Sequence, residues 1–272
     1  MSAELKALDL IRRHGDVIER HLFEESDFAN YFSIYPEVWA RFVLPNRLGG
    51  SVEFANAAWA KFCEHHYSCI VRCQSVREAY DTACHLTSQS FQEWDAQTLL
   101  DLHDALFGFF AFAAAAIENL AKCFQSAPGL AQQTQPDRGD EREIGSANWF
   151  LVRRNSLVHE MIVPVGIHDG VPRLCETVFQ KHVGWHKADL RSTTTVGDLI
   201  EQSWAHFIRL IQRWESQLLD ALEVRHPKYS RLPNLEEITP EVSIPGGAGS
   251  GAPYLQLPPS GVSGNPDSSP YS

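Results

Sequence analysis

Five polar residues interrupt an apolar helical pattern near the middle of the chain, in the stretch 146–164. They are Arg153, Arg154, Asn155, His159 and Glu160. The apolar residues around them already supply enough surface for a buried helix, so folding alone does not require these polar groups. On an ideal helix Asn155 and His159 lie about 40° apart, and a long arginine side chain can swing toward the same face. With a partner helix docked across it, this face would suit an anionic phosphodiester.

The composition narrows the class of protein. The 272 residues carry a formal charge of −11, and 44% of them are hydrophobic, which is enough to bury a sizeable core. The acidic balance argues against a broad, sequence-independent nucleic-acid-binding surface but is compatible with a local basic site.

The amino terminus has early acidic residues and no apolar stretch typical of a signal peptide, which favours the cytoplasm. The longest apolar run, 106–117, is shorter than the about 20 residues of a membrane-spanning helix, so we expect no membrane association.

The cysteine pattern predicts free thiols and no metal centre. The six cysteines lack the spacing of a disulfide framework, and no C-x-x-C pair is present. His65, Cys69 and Cys73 fall on one side of a predicted helix at four-residue intervals. Three ligands spread over about 12 Å of one helix cannot surround a single zinc ion. The alternative is a metal site in which two of these residues bind together with ligands from elsewhere in the chain. We expect neither a metal nor a cofactor.

Apolar residues at three- and four-residue spacing predict a mainly α fold built from long helices. The predicted helical stretches are residues 3–24, one helix or two from Ser51 past Tyr80, about 96–124, 147–163 and 196–223. Ser51, Asp95 and Ser146 are the predicted N-caps, because their side chains can accept a hydrogen bond from the first helical turn. An exposed loop of unusual length, residues 126–145, precedes the motif helix.

Two smaller features complete the predicted architecture. Asp169-Gly170 between short apolar stretches predicts a small β-hairpin inserted between about residues 163 and 180. Residues 241–272 are rich in Pro, Gly and Ser and contain no Lys or Arg, which predicts a disordered C-terminal tail. We therefore expect one helical-bundle domain over residues 1–240, followed by this tail.

The segment Arg154-Asn155-Ser156-Leu157-Val158-His159 resembles the motif of the HEPN superfamily, the helical domains of many prokaryotic toxin and defence ribonucleases. Members carry an Arg, usually followed by a polar residue, a few positions before a His on a late helix of a bundle. Arg153 is a second candidate for the arginine of the motif, and it lies one residue further from the same His. The resemblance covers about residues 50–225, and the hairpin and the final helix look like additions to the minimal bundle.

The resemblance implies a metal-independent endoribonuclease that works as a homodimer, in which two motifs form one composite cleft on an RNA substrate. It assigns proton transfer to His159, transition-state stabilisation to Arg154 and orientation of the phosphate or the His to Asn155. The supporting residues are Arg153, Glu118 and Glu160. The expected role is a toxin or a defence effector, restrained by an antitoxin or paired with a nucleotidyltransferase-like partner.

Two alternatives stay open. In the first, the chain is a catalytically inactive HEPN-like module that binds a nucleotide, RNA or a protein partner through the same cleft. In the second, the two arginines pair with Glu160, Glu118 or the acids of the loop, and His159 is a structural histidine. Glu118, near the end of the apolar helix, is expected either to balance an arginine of the motif or to be an ordinary solvated residue.

Overall fold

The computed structural model describes residues 21–43, 57–89, 94–130, 135–160, 165–174 and 195–227. These residues are mainly helical. The helices are α1 (Phe28–Tyr31), α2 (Tyr35–Val38), α3 (Ala57–Ser88), α4 (Ala96–Ser126), α5 (Ala147–Glu160) and α6 (Val196–Arg225), with π-helical turns at His21–Glu25 and Trp39–Val43. Helices α3 and α4 make the most extensive contact, α5 packs on α4, and α6 packs on both α3 and α4. The predicted helical bundle is therefore the observed architecture.

Helix α4 is the central element, and its start agrees with the predicted cap. The Asp95 carboxylate accepts a hydrogen bond from the Thr98 backbone N–H at 2.8 Å, which satisfies one donor of the first turn. Large apolar side chains at three- and four-residue spacing then form its buried face. They are Leu102, Leu106, Phe109, Phe110, Ile117, Leu120 and Phe124.

Helix α3 settles the question of one helix or two in the region after Ser51. The described part is one uninterrupted helix of 32 residues, Ala57–Ser88. Its core side chains include Phe62, Ile70 and Val76, all buried against the other helices. The predicted cap Ser51 lies outside the described residues.

Helix α6 follows the predicted periodicity closely. Thr195 and Asp198 form a reciprocal capping box, in which each side chain accepts a hydrogen bond from the backbone N–H of the other residue. The helix then runs for 30 residues and buries an apolar stripe. The stripe includes Leu199, Ile200, Phe207, Leu210, Ile211, Trp214, Leu218 and Leu222.

Between α5 and α6 lies a two-stranded antiparallel hairpin. Strands β1 (Val165–His168) and β2 (Val171–Leu174) pair with His168 opposite Val171. The two turn residues, Asp169 and Gly170, both have positive φ values, of 55° and 73°. A turn with positive φ at both residues favours an Asp-Gly pair, because Asp and Gly adopt positive φ more readily than most residues.

Several predicted features fall outside the described residues. They are helix 3–24 up to residue 20, the part of the hairpin region after residue 174, and the tail 241–272. Residues 21–24 of the first predicted helix belong to the π-helical turn His21–Glu25. All described residues lie in the compact unit Met1–Ile238.

Helix α4 is also long and apolar enough, by length and composition, to cross a membrane, and no other helix of the described part meets this criterion. Half of its most apolar 18-residue window is buried within the protein. The apolar run 106–117, which is too short alone, lies inside this longer helix.

Candidate functional site

Helix α5 carries the motif and begins at the predicted cap. The Ser146 hydroxyl accepts a hydrogen bond from the Trp149 backbone N–H at 3.0 Å and donates one to the Asp140 carbonyl at 2.6 Å. The Asn148 side-chain amide donates to the Gly139 carbonyl at 2.7 Å. The first turn of α5 is thus tied to the preceding loop, which fixes the rotation of the helix about its axis.

The inner face of α5 includes the first arginine of the motif. Arg153 is fully buried, its guanidinium carbon lies 3.9 Å from the centroid of the Trp149 ring, and Nη1 donates to the Trp149 carbonyl at 3.0 Å. Burial lowers the pKa of Arg153 to about 9, and the Glu141 carboxylate offsets part of that effect. Arg153 therefore packs in the core, and a substrate at the surface would not reach it.

The second arginine of the motif lies at the surface. Arg154 Nη2 donates to Glu118 Oε1 of α4 at 3.0 Å, and the two side chains are 27% and 38% exposed. Both the expectation that Glu118 balances an arginine of the motif and the structural alternative, in which the arginines pair with such acids, predict this contact. Within the described residues this is the only hydrogen bond of the Arg154 guanidinium; Nε is buried without a partner, and Nη1 makes no hydrogen bond.

The outer face of α5 continues beyond Arg154. Asn155 is exposed and makes no hydrogen bond within the described part of the chain. Val158 is 48% exposed, although it is a large apolar residue. The backbones of His159 and Glu160 form the last turn of the helix, but their side chains lie outside the described residues. The structure thus separates a core-facing arginine from a solvent-facing Arg154 and Asn155.

A second polar group lies deep in the bundle, between α3 and α6. His66 Nε2 is 2.7 Å from Glu215 Oε1, and the two side chains are 0% and 1% exposed. The imidazole packs among aromatic rings, which are those of Tyr35, Trp39 and Phe62. His66 Nδ1 and Glu215 Oε2 have no hydrogen-bond partner among the described residues. Both side chains are shielded from solvent by the described residues, so we assign the pair a structural role.

The cysteines considered as metal ligands belong to the same core. Cys69 donates to the Ala116 carbonyl at 3.3 Å and contacts the Tyr35 hydroxyl, which also lies 3.7 Å from Cys73 Sγ. Burial raises the pKa of both Cys69 and Tyr35, which keeps them protonated. His65 is only half-buried, and its neighbour His66 is the histidine that faces the core. No group of three metal-ligating side chains occurs within the described ranges.

Sequence reasoning missed His66 and Glu215, although a local signal was present. Glu215 stands between Ile211 and Leu218 on the apolar stripe of α6, and His66 is four residues from Ile70 on α3. A charged or titratable residue at a core position of an amphipathic helix requires a buried partner. Its identity could not be predicted, because the two residues are 149 positions apart.

Comparisons of this chain with models of protein families, with curated proteins and with solved structures found no match.

Proposed function

We propose that the outer face of α5 is the catalytic face of a metal-independent endoribonuclease of HEPN type. The observation that carries the proposal is the position of Arg154. Its side chain is 27% exposed, it precedes exposed Asn155 in the chain, and Glu118 holds its guanidinium through one nitrogen only. A positioned guanidinium with a free edge is suited to the non-bridging oxygens of a phosphodiester.

In the proposed reaction the nucleophile is the 2′-hydroxyl of the RNA itself. His159 of one subunit accepts the proton of this hydroxyl, and the 2′-oxygen forms a bond to phosphorus. Arg154 donates to the oxygens of the pentacoordinate phosphorane, whose negative charge exceeds that of the substrate. The bond from phosphorus to the 5′-oxygen breaks, and this oxygen takes a proton from a protonated histidine. The products carry a 2′,3′-cyclic phosphate and a 5′-hydroxyl.

The proposal includes a homodimer. Proton removal and proton donation require two groups on opposite sides of the phosphorus, and a two-fold axis near Asn155 would supply a histidine from each copy. The exposed Val158 on the same face is available for apolar contact between the copies. Sedimentation showing only monomers at micromolar concentration would exclude this composite cleft.

The test is cleavage of a mixed RNA substrate by the purified protein in EDTA. We expect cleavage with cyclic-phosphate products, and we expect His159→Ala to reduce the rate by about 10²- to 10⁴-fold at an unchanged thermal midpoint. His65→Ala is the matched control, because His65 is a half-buried histidine of α3 with no role in the proposed reaction. Tight RNA binding without cleavage would instead support the inactive binding module.

A toxin or defence effector in the cytoplasm would cleave the RNA of its own cell, so its ribonuclease activity has to be inhibited until it is required. A partner that covers the outer face of α5 would block both Arg154 and the access of RNA. An antitoxin or a nucleotidyltransferase-like protein is the proposed partner. Its addition to the cleavage assay should stop cleavage by the wild-type protein.

A further inference from the structure

A pocket of about 540 Å³ lies between α6 and the loop that precedes α5. Its volume falls within the range of about 300–1,000 Å³ that is usual for small-molecule sites. Side chains of α6 form one wall, and residues 137–146 form the other. The helix wall includes His206, Arg209, Arg213, Trp214 and Gln217.

Hydrogen-bond donors are concentrated on the helix wall. Arg209 and Arg213 are exposed, are one helical turn apart, and have no carboxylate within ion-pair distance among the described residues. Trp214 is fully buried, and its indole Nε1 has no hydrogen-bond partner in the described part of the chain. With no exposed surface this N–H does not open to the cavity, so the exposed donors of this part of the wall are those of the two arginines.

The histidine of this wall adds another donor. Arg209 Nη2 is 3.2 Å from His206 Nδ1. Because a guanidinium can only donate, Nδ1 is the acceptor, and the proton of the neutral imidazole is on Nε2. Burial and the charge of Arg209 lower the pKa of His206, which favours this neutral form.

The loop wall is held in shape by its own hydrogen bonds. Asp137 Oδ1 accepts from the Gly139 backbone N–H at 3.0 Å. Gly145 has a φ of 84°, and a Cβ at this position would overlap the His206 ring, so the loop approaches α6 closely only because a glycine is present. Ser146, the N-cap of α5, also lines the pocket, which places the positive end of the α5 dipole there.

The loop wall also supplies acceptors. Asp137 and Glu143 line the pocket but do not reach the arginines across it. A ligand that satisfies both walls needs an anionic end for the guanidinium groups and hydroxyl donors for the carboxylates. A phosphate ester of a ribonucleoside has both, and carboxylates commonly accept hydrogen bonds from ribose hydroxyls.

We propose that this pocket binds a nucleoside phosphate, with the phosphate on Arg209 and Arg213 and the ribose hydroxyls on the loop carboxylates. The site is separate from the outer face of α5. It does not depend on Arg154 or His159 being catalytic.

The test is calorimetric titration of the full chain with the four nucleoside 5′-monophosphates, with the corresponding nucleosides and with inorganic phosphate. We expect saturable binding of at least one monophosphate and binding of its nucleoside weaker by about 10- to 100-fold, because the charged contacts are lost. Arg209→Ala and Arg213→Ala should each weaken binding of that monophosphate to a similar degree.

Arg72→Ala is the matched control, because Arg72 is an exposed arginine of α3 that does not line the pocket. It should leave the affinity unchanged, and the circular dichroism of every variant should match that of the wild type. Three results would overturn the proposal. They are no saturable binding of any monophosphate, equal affinity in the arginine variants, and binding of an RNA oligonucleotide through these arginines without binding of free nucleotides.

Discussion

Two polar contacts between helices, His66 with Glu215 and Arg154 with Glu118, differ mainly in their access to solvent. His66 and Glu215 meet at 2.7 Å in the core, where they are 0% and 1% exposed. Arg154 and Glu118 meet at 3.0 Å at the surface, where they are 27% and 38% exposed. The first pair is out of reach of a substrate, whereas the second presents a guanidinium edge to solvent.

Because of this difference in exposure, we expect the core pair to contribute to stability and the surface pair to be available for chemistry. A buried charged or polar group that loses its partner keeps its desolvation penalty, so the fold depends on both members of the core pair. A surface ion pair contributes only about 0–1 kcal/mol, because water replaces the lost contact. Residues at the surface can therefore be selected for reactivity, while those in the core are constrained by folding.

The largest expected effect is on the core pair. We expect His66→Leu and Glu215→Met each to lower the free energy of unfolding by about 3–5 kcal/mol, because each leaves the other member buried and unpaired. The double variant should recover a large part of this loss. Urea denaturation of all four proteins measures the coupling, and single variants that cost less than about 1 kcal/mol would show that the core tolerates an unpaired group.

A smaller effect is expected for Arg153. Its replacement by alanine should cost about 2–4 kcal/mol, since it empties a packed site beside Trp149 and removes the hydrogen bond to the Trp149 carbonyl. The matched variant Arg154→Ala should cost less than about 1 kcal/mol. Equal losses in the two variants, measured by thermal unfolding, would contradict the distinction between the two faces of α5.

The smallest expected effect is on Glu118. Glu118→Gln keeps the shape of the side chain but removes its charge, so we expect a stability loss below about 1 kcal/mol. If the carboxylate positions Arg154, RNA cleavage should fall severalfold through a lower kcat while the thermal midpoint stays close to that of the wild type. An unchanged cleavage rate would mean that Arg154 is positioned without Glu118.

Local features of the fold could be predicted from the sequence. The caps Asp95 and Ser146 and the apolar stripes of α4 and α6 depend on residues that are close in the chain, so periodicity and capping rules suffice. The predicted absence of disulfides agrees as well for Cys63, Cys69, Cys73, Cys84 and Cys123, none of which is in a disulfide, and Cys175 lies outside the described residues.

Features that depend on tertiary packing could not be predicted in the same way. The sequence offered Arg153 and Arg154 as alternatives, and only the rotation of α5 against α4 decides which one is buried. Successive helical residues differ by about 100° around the axis, so the rotation of the helix decides which of the two faces the core. The pocket beside α6 likewise needs the loop 135–146 to approach His206, which no pattern in the sequence indicates.

The most direct test of the central claim compares the same substitution at the two adjacent arginines. Arg154→Lys and Arg153→Lys would be assayed for RNA cleavage in EDTA, at a temperature where both are folded. We predict that Arg154→Lys loses about 10- to 100-fold in rate at an unchanged thermal midpoint, because a lysine cannot supply the planar fork to the phosphorane. Arg153→Lys should keep its rate per folded molecule and lose thermal stability. Full activity of Arg154→Lys, or a loss of activity confined to Arg153→Lys, would contradict the assignment of the outer face of α5 as the catalytic face.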